Sequence, residues 1–186
     1  MMVDTMSEKS LLRRSIPFLL TIFIVVADQL SKAWIVANVP QGTMYASYLN
    51  DFISIWHVRN QAIGFSIGAG LPMVAKILLF IVLPLGILTF MVIFLLRTKE
   101  LTGLQHWLSA ALVGGGLGNI IDRIFREDWV VDFVSLRIYG LFGLERWPTF
   151  NVADSTVVVA GIALMLTVLF GGRSREKQKQ SADGTD

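Results

Sequence analysis

The chain of 186 residues is 54% apolar and 16% charged, whereas a soluble domain usually carries about 25% charged residues. This composition indicates an integral membrane protein of one domain. The net charge of +2 is too small to indicate a nucleic-acid partner, and the lack of cysteine excludes thiol catalysis, disulfides and cysteine-ligated metals.

Four runs are long and apolar enough to span a bilayer, which requires about 20 residues. They cover residues 15–36, 71–96, 104–124 and 152–172. The first run resembles a signal peptide at its start, but it continues through Asp28 and Lys32 without a small-residue cleavage site, so we expect a retained helix. Pro84 and Gly86 predict a kink in the second run. The sequence therefore predicts a single membrane-embedded domain over residues 1–172.

The lysines and arginines that flank the spans predict the orientation of the chain. Positive charge is concentrated before span one, between spans two and three, and after span four: Lys9, Arg13, Arg14, Arg97, Lys99, Arg173, Arg175, Lys177 and Lys179. The loop of residues 37–70 contains only Arg59, and acids offset the arginines between spans three and four. We therefore expect both termini in the cytoplasm and both longer loops outside. The hydrophilic tail, residues 173–186, is expected to be disordered.

Two stretches of the outer loops have the composition of β-strands. FISIWHV (residues 52–58) and VVDFVSLRIYG (residues 130–140) are rich in β-branched and aromatic residues. Backbone at membrane depth must be hydrogen-bonded, so we expect the two stretches to pair into a small sheet on the helices. The tryptophans suit an aromatic belt at the membrane interface: Trp34, Trp56, Trp129 and Trp147.

Span one carries two charges, Asp28 and Lys32, which lie four residues apart on one helix face. Each charge within a span costs roughly 2.5–3.5 kcal/mol on insertion, so the pair requires an explanation. It either neutralises itself and makes the helix easier to insert, or it supports a polar site in the outer half of the bundle.

The end of span three, GGGLGNIIDR, combines a packing motif with three polar residues. Gly114 and Gly118 form a G-x-x-x-G seam that allows a neighbouring helix to approach closely. Asn119, Asp122 and Arg123 follow, and they either cap the helix end or form a site. Three costly groups directly after a packing seam favour a site.

Two further acids can lie at the outer surface. Asp154 begins span four, whose eighteen uncharged residues rise about 27 Å, and Asp132 lies in the outer strand-like stretch. If they meet, one carboxyl group holds a proton while the other deprotonates water, which is the chemistry of aspartic peptide hydrolysis. A serine–lysine dyad is disfavoured, because Ser31 and Lys32 are adjacent and point about 100° apart on a helix.

No metal or other cofactor is expected, since His57 and His106 lie in different segments without partners at ligand spacing. Two competing classes are a transport or proton-relay subunit and a structural membrane anchor. Four spans without an inverted repeat are few for a transporter, and an anchor does not explain the intramembrane charges.

Five motifs, in chain order, resemble those of bacterial lipoprotein signal peptidase, also called signal peptidase II. They are DQLSK, RNQAIGF, GGLGNIIDR, VVDF and FNVAD, and together they extend from Asp28 to Asp154. The resemblance implies four transmembrane helices with an outer β-cradle and a short periplasmic helix. It also implies an aspartic endopeptidase of the bacterial inner membrane that cleaves diacylglyceryl-modified prolipoproteins just before the lipidated cysteine. The implied partners are these substrates and membrane phospholipid.

The resemblance also assigns the site residues. Asp132 and Asp154 would be the catalytic pair. The groups that bind substrate or support the pair would be Asn60, Asn119, Arg123, Asn151, Asp28, Lys32 and Asp122. The chain departs from the family in the second motif, because Asn60 is followed by Gln-Ala-Ile-Gly-Phe, with the glycine displaced from its usual position two residues after the asparagine.

Overall fold

Four long helices form the body of the protein in the computed structural model, which describes residues 12–60, 70–126 and 129–183, with side chains as far as residue 170. The helices are α1 (Phe18–Asn38), α2 (Met73–Arg97), α3 (Gly103–Phe125) and α4 (Val152–Asp183). Each is long and apolar enough to cross a membrane, with α1 counted together with the turn before it from Leu12. The four predicted spans are therefore confirmed, close to the predicted boundaries.

Helix α3 is the centre of the bundle and packs against the other three helices. Its glycines make this possible, since Gly114 and Gly118 face α1 and Gly115 faces α4. A methyl group on Gly115 would lie 2.7 Å from the carbonyl oxygen of Ala153. The predicted G-x-x-x-G seam is confirmed, and the structure adds a second close contact, with α4, on the adjacent glycine.

Helix α2 contains a five-residue π-helical segment, Leu78–Val82, two residues before Pro84. Proline has no N–H and its ring displaces the carbonyl four residues earlier, here that of Phe80. A π-helical turn accommodates such an interruption within a continuous helix. The irregularity therefore lies where Pro84 predicts one.

Three antiparallel strands lie at one end of the bundle, in the order β1 (Met44–Tyr48), β2 (Ile53–Asn60) and β3 (Val130–Leu136). We call this end the sheet end. The pairing of β2 with β3 confirms the predicted sheet. Strand β1 was not predicted, because its alternation is short and its side chains are mostly exposed. Val131 and Phe133 of β3 pack on the end of α1, which anchors the sheet to the helices.

The chain returns from β3 to α4 through a short 3-10 helix, Leu141–Gly143. An isolated bridge then joins Phe150 to Val134, so the start of α4 is held beside β3.

Helix α4 continues past residue 172, where the sequence predicts the start of a disordered tail. The backbone of residues 173–183 is helical, and residues 184–186 lie outside the described residues. Arginine, glutamate, lysine and glutamine are good helix formers, so the polar segment has no residue that would stop the helix.

Candidate active site

Asp132 and Asp154 come from the two elements that the Phe150 bridge holds together. Asp132 lies on β3 and is 2% exposed, and Asp154 lies in the first turn of α4. Both acids line one cavity of about 880 Å³ at the sheet end. The structure thus brings together the two acids, which the sequence alone could place only at the same surface of the membrane.

Asn151 links the two carboxyl groups. Its side-chain Nδ2 donates to Asp132 Oδ1 at 2.7 Å, and its backbone N–H donates to Asp154 Oδ2 at 3.2 Å. In return, the backbone N–H of Asp154 donates to Asn151 Oδ1 at 2.9 Å. This reciprocal pair is a capping box at the start of α4, with Asn151 as N-cap and Asp154 three residues later. One residue therefore caps the helix and contacts both carboxyl groups, Asp132 through its side chain and Asp154 through its backbone N–H.

Two further amides donate to the carboxyl oxygens that Asn151 does not contact. Asn60 at the end of β2 donates to Asp132 Oδ2 at 2.9 Å. Asn119 on α3 donates to Asp154 Oδ1 at 2.7 Å. Asn60, Asn119 and Asn151 therefore each contact at least one of the two carboxyl groups. Of the displaced-glycine stretch that follows Asn60, residues 61–65 lie outside the described residues.

Burial raises the pKa of Asp132 from 3.8 to about 7. The hydrogen bonds from Asn60 and Asn151 oppose this increase in pKa, and the neighbouring charge of Asp154 adds to it. Near neutral pH, Asp132 can therefore hold a proton and release it, as a general acid–base group must.

A buried ionic cluster lies directly behind the acids, on the α1 side. Lys32 Nζ contacts Asp28 Oδ2 at 2.7 Å and Asp122 Oδ2 at 3.0 Å, and all three side chains are 0% exposed. Lys32 Nζ also donates to Asn119 Oδ1 at 2.9 Å, so its three N–H donors each have a partner. Because the Asn119 carbonyl oxygen faces Lys32, its NH₂ group faces Asp154.

The two acids of this cluster also hold the backbone beside each candidate catalytic residue. Asp28 Oδ1 accepts the N–H of Ala153 at 2.9 Å, next to Asp154. Asp122 Oδ2 accepts the N–H of Val131 at 3.1 Å, next to Asp132. The Asp28–Lys32 pair is thus more than a self-neutralising pair, because it is connected to both halves of the site.

Two residues of the cluster were not selected from the sequence. Gln29 Nε2 donates to Gly118 O and to Asp122 Oδ1, each at 3.0 Å. Arg126 Nε forms an ion pair with Asp122 at 3.1 Å. Two sequence signals could have identified these residues. Gln29 is adjacent to Asp28, and Arg126 lies four residues after Asp122 at the end of the same helix.

The rest of the cavity is largely apolar. Phe80 and Pro84 of α2 and the valines at residues 157–159 of α4 form its walls. Arg123 lines the same cavity, with its guanidinium carbon 5.7 Å from the ring centroid of Phe80. A cavity with apolar walls and a few convergent polar groups is typical of a site for an extended apolar ligand. Among the described residues, no group of three histidines or carboxylates is placed to hold a metal.

Comparison with known proteins gives a consistent result. Residues 20–170 match the family described as Signal peptidase (SPase) II. The lipoprotein signal peptidase of Treponema denticola is 38% identical over 166 residues, which are 89% of this chain and 95% of that protein. The lipoprotein signal peptidase of Borrelia hermsii is 47% identical over 154 residues, 82% of this chain and 89% of that protein.

Solved structures share the fold. A bacterial membrane enzyme determined by the in meso method at 2.3 Å resolution has a TM-score of 0.69 and 27% identity, covering 82% of this chain and 87% of that one. A second, at 1.9 Å resolution, has a TM-score of 0.68 and 27% identity, covering 83% and 92%.

Proposed function

Because this chain belongs to the signal peptidase II family and is a lipoprotein signal peptidase, we propose that it is an aspartic endopeptidase with Asp132 and Asp154 as its catalytic pair. The observation that carries this proposal is the capping box, in which Asn151 contacts both carboxyl groups at the edge of one cavity. Asn60 and Asn119 then orient the pair, and the cluster of Asp28, Lys32 and Asp122 supports it.

The two acids divide the work of hydrolysis. Asp154, in the first turn of α4, is the base that removes a proton from the attacking water. Asp132, whose pKa of about 7 leaves much of it protonated near neutral pH, donates its proton to the scissile carbonyl oxygen. When the tetrahedral intermediate collapses, a hydroxyl proton returns to Asp132 and Asp154 protonates the leaving nitrogen. Both acids then return to their starting states.

The substrate is a prolipoprotein whose lipobox cysteine already carries a diacylglyceryl group, cut just before that cysteine. The apolar cavity walls on α2 and α4 suit both a signal-peptide helix and acyl chains. The positive-inside pattern supports cytoplasmic termini, and with that orientation the sheet end and the site face the periplasmic side of the inner membrane. A proton-relay role is not favoured, because the buried acids of the described residues gather at one end of the bundle.

Cleavage of matched substrates tests the proposal. The purified chain in detergent is incubated with the same prolipoprotein in diacylglyceryl-modified and unmodified forms. We expect a cut directly before the cysteine of the modified form and little cleavage of the other. Equal cleavage of both would contradict the substrate assignment, and inhibition by a chelator would contradict the aspartic mechanism.

A further inference from the structure

A second cavity, of about 530 Å³, lies at the end of the bundle away from the sheet. Its walls come from the segment before α1, from the link between α2 and α3, and from the first turns of α3. We call it the basic pocket, because Arg13, Arg14 and Lys99 line it. The described residues that line it include no aspartate or glutamate. Two basic segments that are distant in sequence therefore meet around one concave site.

Part of the pocket is held in place by hydrogen bonds. Arg14 Nη1 donates to the carbonyls of Leu96 and Arg97, each at 3.1 Å, so its guanidinium is fixed at the end of α2. His106 Nε2, which also lines the pocket, donates to Leu95 O at 3.1 Å. A positive group that is already fixed loses little side-chain entropy when it binds an anion.

The other walls of the pocket are apolar. Ile16, Leu101 and Trp107 line it together with the basic side chains. Tryptophan is enriched where a membrane meets water, because it combines an apolar ring with one N–H donor. A free phosphate ion would use the cations and leave these apolar walls in water. A lipid headgroup with its glycerol and upper acyl chain would cover both.

The N-terminus of α3 is not the source of the positive charge in the basic pocket. Thr102 and Gln105 form a capping box there, in which the Thr102 hydroxyl accepts the N–H of Gln105 and the Gln105 side chain accepts the N–H of Thr102. The positive charge that a ligand would meet comes mainly from the side chains of Arg13, Arg14 and Lys99.

We propose that the basic pocket binds the headgroup of an anionic phospholipid at the membrane face opposite the active site. Basic residues near a bilayer surface each contribute about fivefold to binding of an anionic lipid. Arg13 and Lys99 are exposed and are absent from the active site, so their charges can be removed without disturbing the catalytic groups.

Lipid binding to the delipidated full chain in detergent tests this proposal, by native mass spectrometry and by titration. Phosphatidylglycerol should bind saturably in preference to phosphatidylcholine. The double variant Arg13→Gln with Lys99→Gln should bind phosphatidylglycerol roughly 20- to 30-fold more weakly. The matched control, Lys76→Gln with Arg59→Gln, removes the same charge at the sheet end and should bind as the wild type does. The charge-retaining pair Arg13→Lys with Lys99→Arg should also bind normally.

Each other outcome contradicts the proposal. Undiminished binding by the double variant would mean that the lipid binds elsewhere. Equal binding of phosphatidylcholine would remove the role of charge. Displacement by inorganic phosphate at concentrations similar to the lipid would identify a free-anion site. A loss of binding by the folded charge-retaining pair would mean that positive charge at these two positions is not what binds the lipid. None of these readouts uses peptidase activity, so they are independent of the proposed catalytic mechanism.

Discussion

Replacing Lys32 with methionine removes the positive charge that contacts both Asp28 and Asp122 in the buried cluster. The two acids are 0% exposed, and Arg126 would remain as a cation at Asp122 alone. Removing one partner of a buried ion pair costs about 3–5 kcal/mol. For a chain of this size each kcal/mol shifts Tm by about 2–4 °C, so we expect Tm in detergent to fall by about 6–20 °C.

The double variant Lys32→Met with Asp28→Asn separates charge balance from positioning. It leaves Asp122 with Arg126, and the amide oxygen introduced at position 28 can still accept the N–H of Ala153. We therefore expect most of the lost Tm to return. Cleavage should not return in full, because the Asn119 oxygen would lose its charged donor, Lys32, and would keep only the Asn151 amide, so the NH₂ group that contacts Asp154 would be held less firmly.

Thermal unfolding and cleavage are measured on the same preparations, at equal amounts of folded enzyme. Cleavage that recovers in parallel with Tm would show that Lys32 has only a structural role. A double variant that unfolds as early as the single one would show that charge imbalance is not the cause of the lost stability.

Three further predictions concern pH, packing and topology. The pKa of Asp132 is about 7 in the folded chain and 3.8 ordinarily, so between these pH values the folded chain binds more protons than the unfolded chain, and stability falls as pH rises from about 4 to about 7. Asp132→Asn should flatten this slope when unfolding is measured across pH. An unchanged slope would refute the assignment of the raised pKa to Asp132. Gly115→Ala should destabilise by about 1–3 kcal/mol, because its methyl group would lie 2.7 Å from backbone. Gly161→Ala, whose nearest neighbour is 3.9 Å away, should be tolerated, and equal effects in thermal unfolding would contradict the packing argument. A reporter fused after Asp186 should be active only if it functions in the cytoplasm, and activity of a periplasm-only reporter would reverse the topology.

The four spans and the strands β2 and β3 were predictable because the signal for each lies within its own segment of the sequence. An apolar run predicts a membrane span and a β-branched stretch predicts a strand from the residues of that segment alone, as residues 104–124 and 130–140 illustrate. The continuation of α4 past residue 172 was missed, because polarity alone suggested disorder for a segment of good helix formers.

The meeting of Asp132 and Asp154 depends on contacts that sequence spacing does not report. The bridge between Val134 and Phe150 brings β3 to the start of α4 across a loop of irregular structure. The N-x-x-D spacing of Asn151 and Asp154 is a capping signal that could have been read directly. The link from Lys32 through Asn119 to Asp154 is a tertiary contact, so only the structure could supply it.

The most direct test of the account replaces each acid of the proposed pair by its amide. Asp132→Asn and Asp154→Asn keep the shape of the side chain and remove its ability to exchange a proton. Initial rates are measured on a lipidated prolipoprotein in detergent, at equal amounts of folded enzyme. Each variant should be slower by at least about 10²–10⁴-fold, and the double variant should be little worse than either, because the two acids act as a unit. Near-normal cleavage by either folded single variant would contradict the assignment of the catalytic pair.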